Sequence, residues 1–220
     1  MKVTLLVMTD GRRECIDRAI PAVSEQIDAS FAHRVIHDDS ADDSYREWLT
    51  ERFPGFTIIG GRERRGFAAA IQAAWAHVIE VGDDYVFHLE DDFLLRRAVS
   101  LRRMKQVLGC HPYLTQMALL RGPVNTAERR AGGVIAQHPH DYETVRWGEF
   151  SWREHRRFWT TNPSLYPTAI CHRGWPGGPH SEGLFSLKLF NSDPVLRAAF
   201  WGECGEYVEH IGDTRAGTGY

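Results

Sequence analysis

The 220-residue sequence predicts an α/β fold with a mostly parallel central sheet flanked by helices. Three observations carry that expectation. Over residues 1–92, short apolar runs alternate with stripes of apolar residues at helical spacing. The first run is continuously apolar and β-branched, as a strand buried on both faces must be. Acids and arginines gather just after the runs, where a parallel sheet presents its ligand edge.

Taken in order, residues 2–8 form the first strand, closed by Thr9-Asp10-Gly11. Ile16, Ile20, Val23 and Ile27 then mark one face of a helix. Residues 34–37 are a second strand ending in Asp38-Asp39-Ser40, and 42–52 a helix with Tyr45, Trp48 and Leu49 inward. Residues 56–59 are a third strand, stopped by Gly60-Gly61. The strongest helix is 66–79, with Phe67, Ile71, Ala74, Trp75 and Val78 on one face. Residues 85–89 form a fourth strand that runs into Glu90-Asp91-Asp92.

The second half is less regular. Residues 100–108 read as a helix, 116–120 as a strand, and 121–157 as a polar excursion over the surface or a flap on the acceptor side. A strand is expected over 164–171, a Gly/Pro turn over 175–179, and a helix over 181–191 capped by Ser181. Asp193-Pro194 pairs a cap residue with a first-turn proline and predicts a helix to Trp201. Residues 207–211 close the set as a short strand before a glycine-rich tail. The chain reads as one domain, 1–220, in two halves, 1–95 and 96–220.

Composition narrows the function classes. Hydrophobic residues make up 43% and charged residues 25%, as in globular proteins. No run approaches the about 20 apolar residues of a membrane span, and the early apolar run is too short for a signal peptide. The chain is therefore expected to be soluble, unsecreted and cytoplasmic. Its four cysteines (Cys15, Cys110, Cys171, Cys204) are widely spaced, which predicts free thiols rather than a disulfide framework. The net charge of −3 gives no global field for nucleic acid, although basic clusters occur at 62–65, 96–103 and 153–157.

Each polar cluster has two readings. Glu90-Asp91-Asp92 suits a hard divalent cation such as Mg²⁺ or Mn²⁺ bound together with a substrate diphosphate, or it is a solvated turn. Asp38 and Asp39 suit ribose hydroxyls or base N–H groups, or they serve the next helix, which Ser40 or Asp42 can cap. Arg64, Arg65 and Gly66 open the strongest helix and suit an anion, or they are a basic loop. No GxxxxGKS/T loop and no GxGxxG turn is present, so neither a P-loop nor a dinucleotide fold is expected. Glu182 stands where a Gly/Pro turn meets a helix, fit for a general base or for the helix dipole. His210 lies on the last strand, where a lone histidine is either structural or a partner of the acid triplet.

Together these residues resemble the GT-A glycosyltransferases, in particular the family 2-like nucleotide-diphospho-sugar transferases. Thr9, Asp10 and Arg12 look like the opening nucleotide-binding segment. Residues 35–42, with Asp38 and Asp39, are similar to the V-D-D-x-S-x-D segment that holds the nucleoside. Arg65 and Gly66 begin a stretch similar to N-x-G-x-A-x-A, with arginine in place of asparagine. Glu90-Asp91-Asp92 resembles the DxD motif in an E-D-D form. The resemblance implies a metal held by Glu90, Asp92 and His210, a donor contacted by Thr9, Asp10, Arg12, Asp38, Asp39, Arg65, Gly66 and Asp91, and Glu182 as the base of an inverting transfer. Glu90 in place of the first aspartate, and a stretch 129–157 without counterpart, depart from the pattern.

The implied reaction moves a sugar from a nucleotide-diphospho-sugar to an acceptor hydroxyl, with a divalent metal as cofactor. The acceptor stays open among a protein, a glycan, a lipid at a membrane surface and a modified DNA base; the negative net charge argues against DNA. Trp147, Trp152, Trp159 and Trp175 either line an acceptor groove or fill a core. Two rivals remain. A sugar-phosphate nucleotidyltransferase shares the sheet and the acids, but should carry a glycine-rich loop where only Gly11-Arg12-Arg13 stands. A non-catalytic binding protein on the same fold would have less reason to keep Glu90, Asp92, Glu182 and His210 together.

Overall fold

A computed structural model describes residues 1–202 and 205–212; Cys204 and most of the glycine-rich tail lie outside the described residues. The elements are β1 (Val3–Thr9), α1 (Arg13–Gln26), β2 (His33–Asp38), α2 (Asp43–Arg52), β3 (Thr57–Gly60) and α3 (Phe67–Val81). They continue with β4 (Tyr85–Glu90), β5 (Phe93–Leu95), α4 (Leu101–Cys110), β6 (Leu114–Ala118), α5 (Thr126–Ala131) and α6 (Val134–Gln137). The last are β7 (Glu143–Trp147), β8 (Phe150–His155), β9 (Ser164–Pro167), α7 (Ser181–Ser192), β10 (Arg197–Trp201) and β11 (Val208–His210).

Nine strands form one sheet in the order β3-β2-β1-β4-β9-β6-β10-β8-β7. The first four are parallel neighbours, and β6 and β10 also pair in parallel; only β9 and β8 run against the common direction. The α/β architecture with a mostly parallel sheet is thus present. A small second sheet pairs β11 with β5 in antiparallel fashion.

Alternation along β1 explains the layering. All seven of its residues are buried. Leu5 and Val7 face a core filled by Ile16, Ile20 and Val23 of α1 and Met104 and Val107 of α4. Leu6 and Met8 face the other core, with Ile71, Trp75 and Val78 of α3 and Phe185 and Leu189 of α7. A period of two sends alternate side chains to opposite faces, so one short strand anchors both layers. Glycines set both ends of α3: Gly66 precedes it at φ 77°, and Gly82 closes it in the left-handed region at φ 73°.

The second half departs from the sequence expectations in four places. Residues 197–201 are a strand, not a helix. Ala198, Ala199 and Phe200 are buried between β6 and β8, and Asp193 Oδ1 accepts from the Val195 N–H (2.8 Å) in a turn instead of starting a helix. Tertiary pairing has overridden a local start signal. The stretch 121–157 is no mere excursion: β7 and β8 form a hairpin that extends the main sheet. The strand expected over 164–171 stops at Pro167, and Thr168–Arg173 turn as a 3-10 helix. Ser181 is the first residue of α7 rather than its cap; its Oγ accepts from Trp175 Nε1 (3.0 Å), and His180, at φ 56°, precedes it.

The tryptophans settle as core. Trp152, Trp159 and Trp175 are buried, and Trp159 packs edge-on against Trp75, Trp175 and Phe185. Only Trp147, on the edge strand β7, is exposed. Cys15, Cys110 and Cys171 are free thiols. Among the described residues no helix is long and apolar enough to cross a membrane.

Candidate active site

Because β1, β2 and β4 are parallel and in register, Thr9, Asp38 and Glu90 end on the same edge of the sheet. The ladder continues past the strands: the Asp39 N–H donates to Thr9 O, and the Asp91 N–H to Met8 O, both at 2.9 Å. The chain therefore delivers Thr9-Asp10, Asp38-Asp39 and Glu90-Asp91-Asp92 side by side.

Arg12 joins the acids. Its guanidinium donates from Nη2 to Asp91 Oδ1 and from Nη1 to Asp92 Oδ2, while Nε lies 3.1 Å from Asp10 Oδ1. Arg64 Nη2 donates to Asp10 Oδ2 (2.7 Å). On the far side His210 Nε2 lies 3.1 Å from Asp92 Oδ2. The strand β11 carries His210 there by pairing it with Phe93, and the Ile211 N–H donates to Asp92 O (2.7 Å). The result is a ladder of alternating charge, Arg64–Asp10–Arg12–Asp91/Asp92, with His210 at its far end.

A relay of hydroxyls supports Asp91. Thr9 Oγ1 donates to Asp91 Oδ2 (2.6 Å) and accepts from Tyr45 Oη (2.7 Å). Burial pushes the Asp91 carboxyl up, opposed by the Arg12 charge and the Thr9 hydrogen bond. Burial also works against Asp92, but the hydrogen bond from His210 and the charge of Arg12 outweigh it, and Asp92 is held below the usual carboxylate range. Glu90 is less well supported: burial, then the charge of Asp92, pushes it up to about 8 against a hydrogen bond from Thr161. Among the described residues its Oε1 and Asp92 Oδ1 are buried oxygens without a hydrogen-bond partner.

A cavity of about 700 Å³ opens beside this ladder. Thr9, Asp10, Arg12, Asp39, Arg64, Gly66 and Glu90 line it together with Gly178 to Gly183, Glu182 among them. Glu182 stands in the first turn of α7, and its Oε1 accepts from the Thr161 N–H (2.8 Å) and from Thr161 Oγ1 (3.2 Å).

The structure thus brings together most of the residues singled out in the sequence, with some divided from the rest. Asp91, Asp92 and His210 lie behind Arg12 and do not line the cavity. Asp38 is fully buried; it accepts from the Ser40 N–H (2.9 Å) and Arg46 Nη2 (3.1 Å) and ties β2 to α2. Asp39 does line the cavity, and its two oxygens accept the N–H groups of Arg65 and Gly66, each at 2.8 Å, fixing the entry to α3. Of the two arginines left open by the sequence, Arg64 reaches the cavity and Arg65 does not. Asp42, rather than Ser40, caps α2.

Three supporting residues were not read as site residues. Tyr45 looked like core and is also the start of the hydroxyl relay. Thr161 carries no motif. Gly212 has a signal in hindsight, a glycine directly after the last strand: a methyl group there would collide with Asp92 Oδ2 and lie 2.9 Å from Arg12 Nη1.

No protein-family model matches the chain. A curated relative, the galactofuranosyltransferase GlfT1 of Mycolicibacterium smegmatis, is 29% identical over 90 residues, 41% of this chain and 30% of that protein. Among solved structures, S. aureus TarS 1–349 in complex with UDP-GlcNAc superposes with a TM-score of 0.67 at 15% identity, covering 100% of this chain and 62% of that one. The mannosyltransferase PcManGT of Pyrobaculum calidifontis, in complex with GDP-Man and Mn²⁺, gives 0.66 at 17% identity, covering 97% and 58%. The chain thus spans less than two thirds of the length of each of these three proteins. With a parallel sheet presenting its acids at the carboxyl edge, and these neighbours over nearly its whole length, the chain has the GT-A fold of glycosyltransferases.

Proposed function

We propose that this chain is a glycosyltransferase that moves a sugar from a nucleotide-diphospho-sugar to an acceptor hydroxyl with inversion. The observation that carries the reading is the shared cavity: Glu182, from the start of α7, and Thr9, Asp10, Arg12 and Glu90, from the ends of β1 and β4, line one space of about 700 Å³. That volume is in the range of small-molecule sites. The neighbours' bound donors, UDP-GlcNAc and GDP-Man, are of the class that the cavity suits.

In this reading Asp39 sits on the nucleoside side, and Arg12 and Arg64, with Asp10 between them, on the diphosphate side. Arg12 and Arg64 line the cavity and offer charge to a leaving diphosphate. Glu182 accepts the proton of the acceptor hydroxyl as that oxygen bonds to the anomeric carbon and the carbon–phosphate oxygen bond breaks. Thr161 holds the carboxylate in place through its two hydrogen bonds.

The residues also fit a divalent ion, in one manner. Two buried carboxylate oxygens, Glu90 Oε1 and Asp92 Oδ1, lack partners and are hard ligands. His210 Nε2 is engaged with Asp92, and no group of three or more His, Cys, Asp or Glu side chains converges among the described residues. This favours Mg²⁺ or Mn²⁺ bound by one or two carboxylates plus substrate phosphates over a resident ion. Such an ion supplies charge neutralisation to the diphosphate when bound. The acceptor class is left to experiment, with protein, glycan, lipid and modified DNA base all to be tried.

A thermal-shift screen of nucleotide-sugars with and without Mn²⁺ tests the proposal, since a ligand that binds only the folded state raises its melting temperature. A metal-dependent shift with one nucleotide-sugar is expected. A shift with a nucleoside triphosphate alone would instead favour the nucleotidyltransferase.

A further inference from the structure

Arg12 occupies an unusual place. It lines the cavity, while the two carboxylates that it grips, Asp91 and Asp92, do not. Both are nearly inaccessible to solvent. Each η nitrogen takes one of them, so the planar fork bridges the pair as a single ion spanning two acids would. His210 Nε2 meets Asp92 on the same oxygen, Oδ2, and among the described residues Oδ1 has no partner. Asp10 tethers the guanidinium from the other side at Nε, and is itself tethered by Arg64.

We infer that Arg12 is a tethered counter-cation that guards the acid pair. Without donor, its guanidinium neutralises Asp91 and Asp92 and stands between them and the cavity. A divalent ion that approaches alone meets a fixed positive charge in front of its carboxylates. A nucleoside diphosphate changes this balance, because it offers the guanidinium a second anion inside the cavity. Arg12 can then turn towards the diphosphate while the ion reaches Asp92 and Glu90. Ion and donor therefore bind together, and the acid pair stays closed to stray cations between turnovers. This deepens the proposed function and rests on it for the identity of the diphosphate; the guarding of the acid pair does not.

The test is a titration of the full chain with MnCl2 alone, followed by the electron-spin resonance signal of free Mn²⁺. The wild type is expected to bind weakly, and Arg12→Gln, which is neutral, to bind about tenfold more tightly or better. Arg12→Lys keeps the charge but loses the fork, and is expected to fall between the two. Equal or weaker Mn²⁺ binding by a folded Arg12→Gln variant would overturn the inference. Should that variant fail to fold, the wild type still decides. Its Mn²⁺ affinity must rise about tenfold or more when UDP or GDP is added, and an affinity as high without nucleotide would sink the idea. If neither nucleotide binds under any condition, the transferase reading is what fails, and the comparison in MnCl2 alone still judges Arg12.

Discussion

At the scale of single residues, the two carboxylates that line the cavity beside Thr161, Glu182 and Glu90, make separable demands. Glu182 keeps its place through Thr161, and a glutamine can accept the same bonds. Glu182→Gln should therefore bind donor normally and lose about 10²- to 10⁴-fold in transfer rate, as read by turnover beside donor affinity. Glu90 makes a different prediction. Its folded pKa, about 8, lies above that of an unfolded glutamate, so the folded state holds the extra proton between about pH 4.5 and 8. Stability from this group falls as pH rises through that window. In chelator, Glu90→Gln should melt above the wild type at pH 8.5 and level with it at pH 4; an equal difference at both would exclude the effect. Gly212→Ala should keep the fold and weaken metal-dependent donor binding by roughly tenfold or more, since its methyl displaces Asp92. The acids were legible in the sequence because three charges after a buried strand need an explanation. Thr161 and Tyr45 were not, because a lone hydroxyl gives no pattern until another element brings it a partner.

At the scale of elements, Asp39 links β2 to α3. It is a short reach of two hydrogen bonds to consecutive N–H groups. Asn has one acceptor oxygen where Asp has two, so Asp39→Asn turns an amide N–H towards a backbone donor. It should lower stability by about 1–3 kcal/mol in chemical denaturation and loosen the cavity wall that Gly66 and Phe67 form. The elements of the first half were readable because local period and burial agree there. The β10 segment was misread because Asp193-Pro194 is a sound local start signal, whereas its true state depends on β6 and β8, strands far away in sequence. The β7–β8 hairpin was missed for a similar reason: its polar residues alternate on an edge strand, and nothing local distinguishes that from a loop.

At the scale of the whole molecule, the sheet divides two cores, and one of them is unusually aromatic. Trp159→Ala removes a fully buried ring packed on Trp75, Tyr166, Trp175 and Phe185, and should cost about 3–5 kcal/mol with an unchanged denaturant slope. The position of β9 has a different consequence. This four-residue strand sits between β4 and β6, pairing with both, and is made after either of them along the chain. In the main sheet the parallel half, β3-β2-β1-β4, joins the β6–β10 half only through β9. Pairings between distant segments are slow to form. Refolding from denaturant should therefore show an early phase in which β1, β2 and β3, whose paired residues lie closest in sequence, gain amide protection, and a later one in which Leu165, Met117 and Ala118 gain it together.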